Sequence, residues 1–111
     1  METFYIKRGD TSPAIRYALS PATVNLTGAT VRFQMRARRS RGGATVIDAT
    51  AVVVTATGTP TVEYQWQTGE TANTGIFEAE FRVTYADGRV ETFPNDEFIS
   101  VKVSEDVPPA S

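Results

Sequence analysis

Five arginines fall between positions 32 and 41: Arg32, Arg36, Arg38, Arg39 and Arg41. Guanidinium groups fork phosphate and carboxylate oxygens, so a cluster of this kind is chemistry for an anionic partner. Three readings stand: nucleic acid, a protein surface, or a solvated strand end with its hairpin loop. Nucleic acid is the weakest of them. The formal net charge is −2, and no stacking aromatic shares the polar face with the arginines, because Phe33 points the other way. Arg36, Arg38, Arg39 and Arg41 stand as candidate protein-contact residues beside the solvated-loop reading, with no nucleic-acid partner.

The carboxylates offer less. Glu70, Asp96 and Glu97 suggest a calcium site or an acid–base pair, but no EF-hand-like spacing surrounds them. Turn-forming and solvating roles fit them better. The chain has no histidine and no cysteine, which removes the usual general base near neutral pH, the commonest metal ligand and every thiolate. Ser-His-Asp and Cys-His triads are excluded. The expectation is a protein with no catalytic residues, no metal and no cofactor.

Two short motifs invite functional readings. Arg8-Gly9-Asp10 spells a cell-adhesion signal, and Asn25-Leu26-Thr27 a glycosylation sequon. Without an apolar leader the sequon should stay unmodified. The RGD reads as a turn: Gly9 permits the reversal, Asp10 can accept backbone hydrogen bonds, and Pro13 stops any helix. Tyr5, Tyr17, Tyr64, Trp66 and Tyr85 could form a sugar-stacking platform, but all except Tyr5 fall in phase with apolar neighbours, which points to core packing.

The elements that position these residues are strands. In GIFEAEFRVTY, Phe77, Ala79, Phe81, Val83 and Tyr85 alternate with Glu78, Glu80, Arg82 and Thr84, the period of a half-buried strand. ATVRFQMRA, TVEYQWQ and ISVKV repeat the pattern. Turn signals punctuate the runs: GDTSP at 9–13, LTG at 26–28, RGG at 41–43, TGTP at 57–60, TGETANTG at 68–75, ADG at 86–88 and FPND at 93–96. Asp87-Gly88 marks a hairpin. Seven or eight short strands at this spacing predict an all-β, immunoglobulin-like sandwich without a disulfide. Residues 1–104 form the single domain and 105–111 a flexible tail. Phe33, Trp66, Phe77 and Phe81 are the predicted core. Phe77 takes the place of the corner tyrosine of such domains, so the corner hydroxyl bond cannot form there. The N-terminal strand around Phe4 to Lys7 and the C-terminal strand around Ile99 to Val103 are the expected sheet edges.

Charge is split along the chain. Residues 1–62 carry eight Lys/Arg against three Asp/Glu, and residues 63–111 carry three against ten. Either copies attract one another through these halves, or the signs interleave once strands pair. No apolar run approaches the ~20 residues of a membrane span, so the expectation is a protein made soluble inside the cell, with no membrane partner.

Five motifs then follow in one order: F-x-I-K-R-G-D-T-x-P, V-N-L-T-G-A-T-V-R-F-x-M-R, V-x-Y-x-W-Q, E-T-x-x-x-G-x-F-x-A-E-F-x-V-T-Y-A-D-G and T-F-P-N. The pattern, covering about residues 4–103, resembles the immunoglobulin-like N-terminal domain of phage baseplate upper proteins. It is also similar to small stand-alone phage virion proteins of that design. The resemblance implies a non-enzymatic virion module, synthesised in the cytoplasm of the host bacterium. It would be present as a homo-oligomer and dock with other virion proteins on the tail, baseplate or neck. In the larger relatives further domains follow; here the chain reads to Ser111, which makes a stand-alone module the expectation. The alternatives are a head decoration protein and a module that binds host-surface carbohydrate or protein.

Overall fold

Apolar residues at every second position favour extended strands with one dry and one wet face, and the computed structural model of the chain follows that pattern. It describes residues 2–19, 24–38 and 45–107. Eight strands succeed one another: β1 (Thr3–Lys7), β2 (Ile15–Ala18), β3 (Thr30–Ala37), β4 (Thr45–Thr55), β5 (Thr61–Tyr64), β6 (Gly75–Thr84), β7 (Val90–Phe93) and β8 (Ile99–Ser104). Among the described residues there is no helix. The fold is the all-β sandwich that the sequence predicts, nearly closed like a barrel and free of disulfides.

The larger sheet has the order β1-β8-β6-β3-β4, and the smaller one β4-β5-β2. β4 serves both. Its first part pairs with β3 from Thr45 to Ala51, and its last part pairs with β5 from Val52 to Thr55. β7 and β8 lie one after the other along the same side of β6: Val90–Phe93 face Phe81–Thr84, and Ile99–Val103 face Gly75–Ala79. Pro94 lies in the break between them, where it can give no N–H to a ladder.

Between the sheets, Phe33 stacks on Tyr64 at 4.6 Å between ring centroids and meets the edge of Trp66 at 5.6 Å. Phe81 closes the cluster 5.1 Å from Phe33. Phe33, Trp66, Phe77 and Phe81 all lie in the buried core. Burial of a side chain of this size contributes about 1.5–3 kcal/mol.

One edge assignment is corrected. β1 ends the larger sheet, but β8 lies inside it, between β1 and β6. The cause is the parallel pairing of β1 on β8, Thr3 opposite Ser100 through Lys7 opposite Ser104. Periodicity within either strand cannot reveal a partner so distant in sequence. The other end of the strand order is β2, and β7, paired only with β6 among the described residues, also has one side unpaired.

The RGD segment forms the turn leaving β1, but by other bonds than those expected. Gly9 has φ +86, a region costly for a residue with Cβ. Its N–H donates to the Thr71 carbonyl at 3.1 Å, and the Asp10 N–H donates to the Lys7 carbonyl at 3.1 Å. The Asp10 carboxylate is exposed and accepts no hydrogen bond among the described residues; it is the Asp10 carbonyl that accepts, from the buried Thr71 Oγ1 at 2.8 Å. Pro13 is exposed and lies two residues before β2. Asp10→Ala should therefore change stability by less than about 0.5 kcal/mol. Thr71→Val, which keeps the shape and deletes the donor, should cost about 1 kcal/mol. Urea unfolding of both variants checks this, and the reverse ranking would restore a capping role to the carboxylate.

Candidate functional site

Of the four arginines predicted to contact protein, Arg36 and Arg38 can be placed; Arg39 and Arg41, with the RGG turn, lie outside the described residues. Arg36 stands on the outer face of β3, directly opposite Glu78 of β6. Its Nε donates to Glu78 Oε1 at 3.1 Å, and its guanidinium carbon lies 4.8 Å from the centre of the Phe98 ring. A shallow cleft of about 140 Å³ opens there, lined by Gln34, Arg36, Thr45, Glu78, Glu80 and Phe98. Arg38 is exposed, and its backbone N–H donates to the Ile76 carbonyl. Arg36 is thus neutralised and stacked within its own chain, whereas the side chain of Arg38 extends from the end of β3 into solvent.

The other charges are arranged by register. Arg16 donates to Glu63, its cross-strand neighbour, at 2.7 Å. Arg32 donates to Asp48 at 2.8 Å, and that hydrogen bond holds the Asp48 carboxyl below the usual carboxylate range. Arg8 reaches Asp106 at 2.8 Å and lowers its pKa in the same way. Three of these pairs, Arg8–Asp106, Arg16–Glu63 and Arg36–Glu78, join the basic first part of the chain to the acidic second. Within one copy, then, the signs interleave. Exposed pairs of this kind add little to stability, because solvent screens them.

The three carboxylates considered for metal or acid–base chemistry are not brought together as a cluster. Among the described residues no group of three Asp or Glu side chains is placed to hold a metal ion. Asp96 and Glu97 are exposed in the break between β7 and β8, and Glu97 sits at φ +61, a turn conformation. Glu70 lies elsewhere, under the turn before β6. Both its oxygens accept from the Tyr64 hydroxyl at 2.8 Å, and Oε1 also accepts the Gln67 N–H at 2.7 Å. Phe77 carries no hydroxyl, and the tyrosine hydroxyl bonded at this turn is that of Tyr64 on β5. Strand periodicity does not reveal this bond; its one signal in the sequence is a tyrosine in core phase six residues before an acid.

The tyrosines divide by exposure. Tyr64 and the indole of Trp66 are buried, while Tyr17 and Tyr85 are half-buried. Tyr17 stacks on Phe81 at 6.2 Å, and the Tyr85 hydroxyl donates to Glu91 at 2.7 Å. Tyr5, 67% exposed, is the only exposed aromatic residue among the described residues. Burial first, and the bond to Glu91 second, push the Tyr85 hydroxyl up to about 12; burial and Glu70 raise Tyr64 further. Each hydroxyl thus keeps its proton in the folded chain at a pH where the unfolded chain loses it. Stability from these bonds is complete below pH ~10 and falls as pH rises through the folded pKa. Urea midpoints measured from pH 8 to pH 12 should decline above about pH 10, and less steeply in Tyr64→Phe and Tyr85→Phe.

No protein-family model matches the chain, and no curated protein matches its sequence.

Proposed function

We propose that the protein is a non-enzymatic structural component of a bacteriophage virion, an immunoglobulin-like module that docks in multiple copies on the tail, baseplate or neck. The observation that carries the reading is the ordered set of five motifs across residues 4–103. Their placement supports it. K-R-G-D-T-x-P makes the turn after β1, V-x-Y-x-W-Q supplies Tyr64 and Trp66, and the longest motif holds Glu70, Thr71 and all of β6. These are the residues that build the corners and the centre of the sandwich, so the motifs describe one scaffold rather than scattered similarity.

The chemistry of the surface favours docking over catalysis. The acids with close partners are engaged: Glu63 by Arg16, Glu78 by Arg36, Glu70 by Tyr64 and Gln67. A host-glycan module would need stacking surface, and among the described residues only Tyr5 offers an exposed ring. The reading is tested by mass spectrometry of gradient-purified particles from a producing bacterial culture. The expected result is the chain in particles at a stoichiometry of several copies. Its confinement to the soluble lysate, with particles free of it, would overturn the assignment.

A further inference from the structure

Cross-strand register gathers exposed side chains from four strands into one row on the outer face of the larger sheet. Tyr5 of β1 lies opposite Lys102 of β8, and Lys102 lies opposite Ile76 of β6. Arg38, at the end of β3, joins them through its backbone N–H, which donates to the Ile76 carbonyl at 3.0 Å. Their chain neighbours Ile6, Phe77, Val101 and Val103 are buried, so alternation turns the row outward. Tyr5 is 67% exposed and Ile76 42%, and Arg38 and Lys102 are exposed with them. The adjoining row is neutralised within the chain: Arg36 faces Glu78 and donates to it. Here the register sets an apolar residue, and no carboxylate, beside each cation. Among the described residues neither Arg38 nor Lys102 forms an ion pair.

We propose that this row binds an extended acidic segment of another protein, with one carboxylate on Arg38, one on Lys102 and an apolar residue between them over Ile76. Charge complementarity and spacing carry the choice of occupant. Arg38 and Lys102 stand two strands apart, about 9–10 Å at the usual inter-strand spacing. A polyproline II segment sets every third side chain on one face, about 9 Å apart. Acids three positions apart in such a segment therefore match the two cations. The Tyr5 ring, one strand further on, offers the next apolar contact, and tyrosine and arginine are residue types that often anchor protein interfaces. A phosphodiester backbone fits less well. It has no apolar group to set on Ile76, and the net charge of −2 opposes the approach of a long polyanion. The inference does not rest on the virion reading, because it follows from the register and exposure of one row.

The test uses the full chain and a labelled synthetic peptide of repeating Glu-Val-Pro, with a Gln-Val-Pro peptide as its uncharged match. Fluorescence anisotropy should give a Kd between about 10 μM and about 1 mM for the glutamate peptide, weakening as salt is raised, and no binding of the glutamine peptide. Lys102→Glu should weaken binding at least about tenfold. Arg82→Glu changes the net charge equally at an exposed site on the same sheet face, outside the row. At about 0.1 M salt it should leave the affinity within about twofold, because charges beyond a Debye length are screened. Circular dichroism should show both variants folded; if Lys102→Glu is not, Arg38→Glu takes its place with the same expectation. Absence of binding up to about 1 mM peptide overturns the proposal. Equal losses in the Lys102 and Arg82 variants also overturn it, since bulk charge alone would then explain the binding. Tighter binding of an oligodeoxythymidylate of equal charge would make the row a nucleic-acid surface, and self-association abolished by Lys102→Glu would make a second copy its occupant; either defeats the proposal. Absence from virions would leave these measurements untouched, and a chain found in virions that ignores the peptide would defeat this inference alone.

Discussion

Phe33→Ala should remove about 3–5 kcal/mol of stability. A domain of this length has a total of about 5–15 kcal/mol to lose, so the variant should unfold at a far lower urea concentration, or fail to fold at 37 °C. The size of the effect follows from position. Phe33 is fully buried at the middle of β3, flanked by β4 and β6 in its own sheet and by the rings of Tyr64 and Trp66 across the core. No neighbour can collapse into its place without leaving its own strand. Fluorescence of Trp66, the one tryptophan of the chain, reports the transition directly. Phe33→Leu should lose much less, because most of the volume stays. A loss below about 1 kcal/mol for the alanine variant would mean that the ring cluster is not where the sheets are held together.

Glu70→Ala should cost about 1–3 kcal/mol. The carboxylate is the acceptor for both the Tyr64 hydroxyl and the Gln67 N–H. Removing it leaves the buried hydroxyl without a partner and the turn before β6 without its closure. Glu70→Gln retains one acceptor oxygen and should recover part of the loss. The pairing with Tyr64 can be isolated by a double-mutant cycle of Glu70→Ala with Tyr64→Phe, where a coupling of about 0.5–3 kcal/mol is expected. Additive costs would show that the two residues act separately.

How far the sequence revealed this molecule depends on whether a feature is local. β3, β6 and β8 are visible because their apolar residues alternate cleanly, and the β6–β7 hairpin because Asp87-Gly88 has few other uses. β4 is harder to read. In TVIDATAVVVT the inward set passes through Ala49 and Ala51, while Val46, Val52 and Val54 face outward. The alternation blurs where the strand leaves one sheet for the other. The edge at β8 was misread because a parallel partner some hundred positions away leaves no mark on either strand. The same holds for charge. Arg36 looked free in a run of arginines, and only the register opposite Glu78 shows otherwise. Asp10 is the converse case: a good acceptor at a turn whose geometry uses its backbone instead.

The pairing of β1 with β8 also sets an order in time. Thr3 is matched with Ser100, so during synthesis β1 emerges early and waits for nearly all of the domain to follow before its ladder can form. Contacts of such long sequence separation slow folding, since the chain must close a large loop before any bond rewards it. The hairpin of β6 and β7 can form within a few residues and offers a natural early nucleus, while the strand made first docks last. Until it docks, the outer side of β8 is open to the β1 of any neighbouring nascent chain. Crowded expression should therefore favour exchange of this one strand between copies, a hazard written into the topology rather than into any residue.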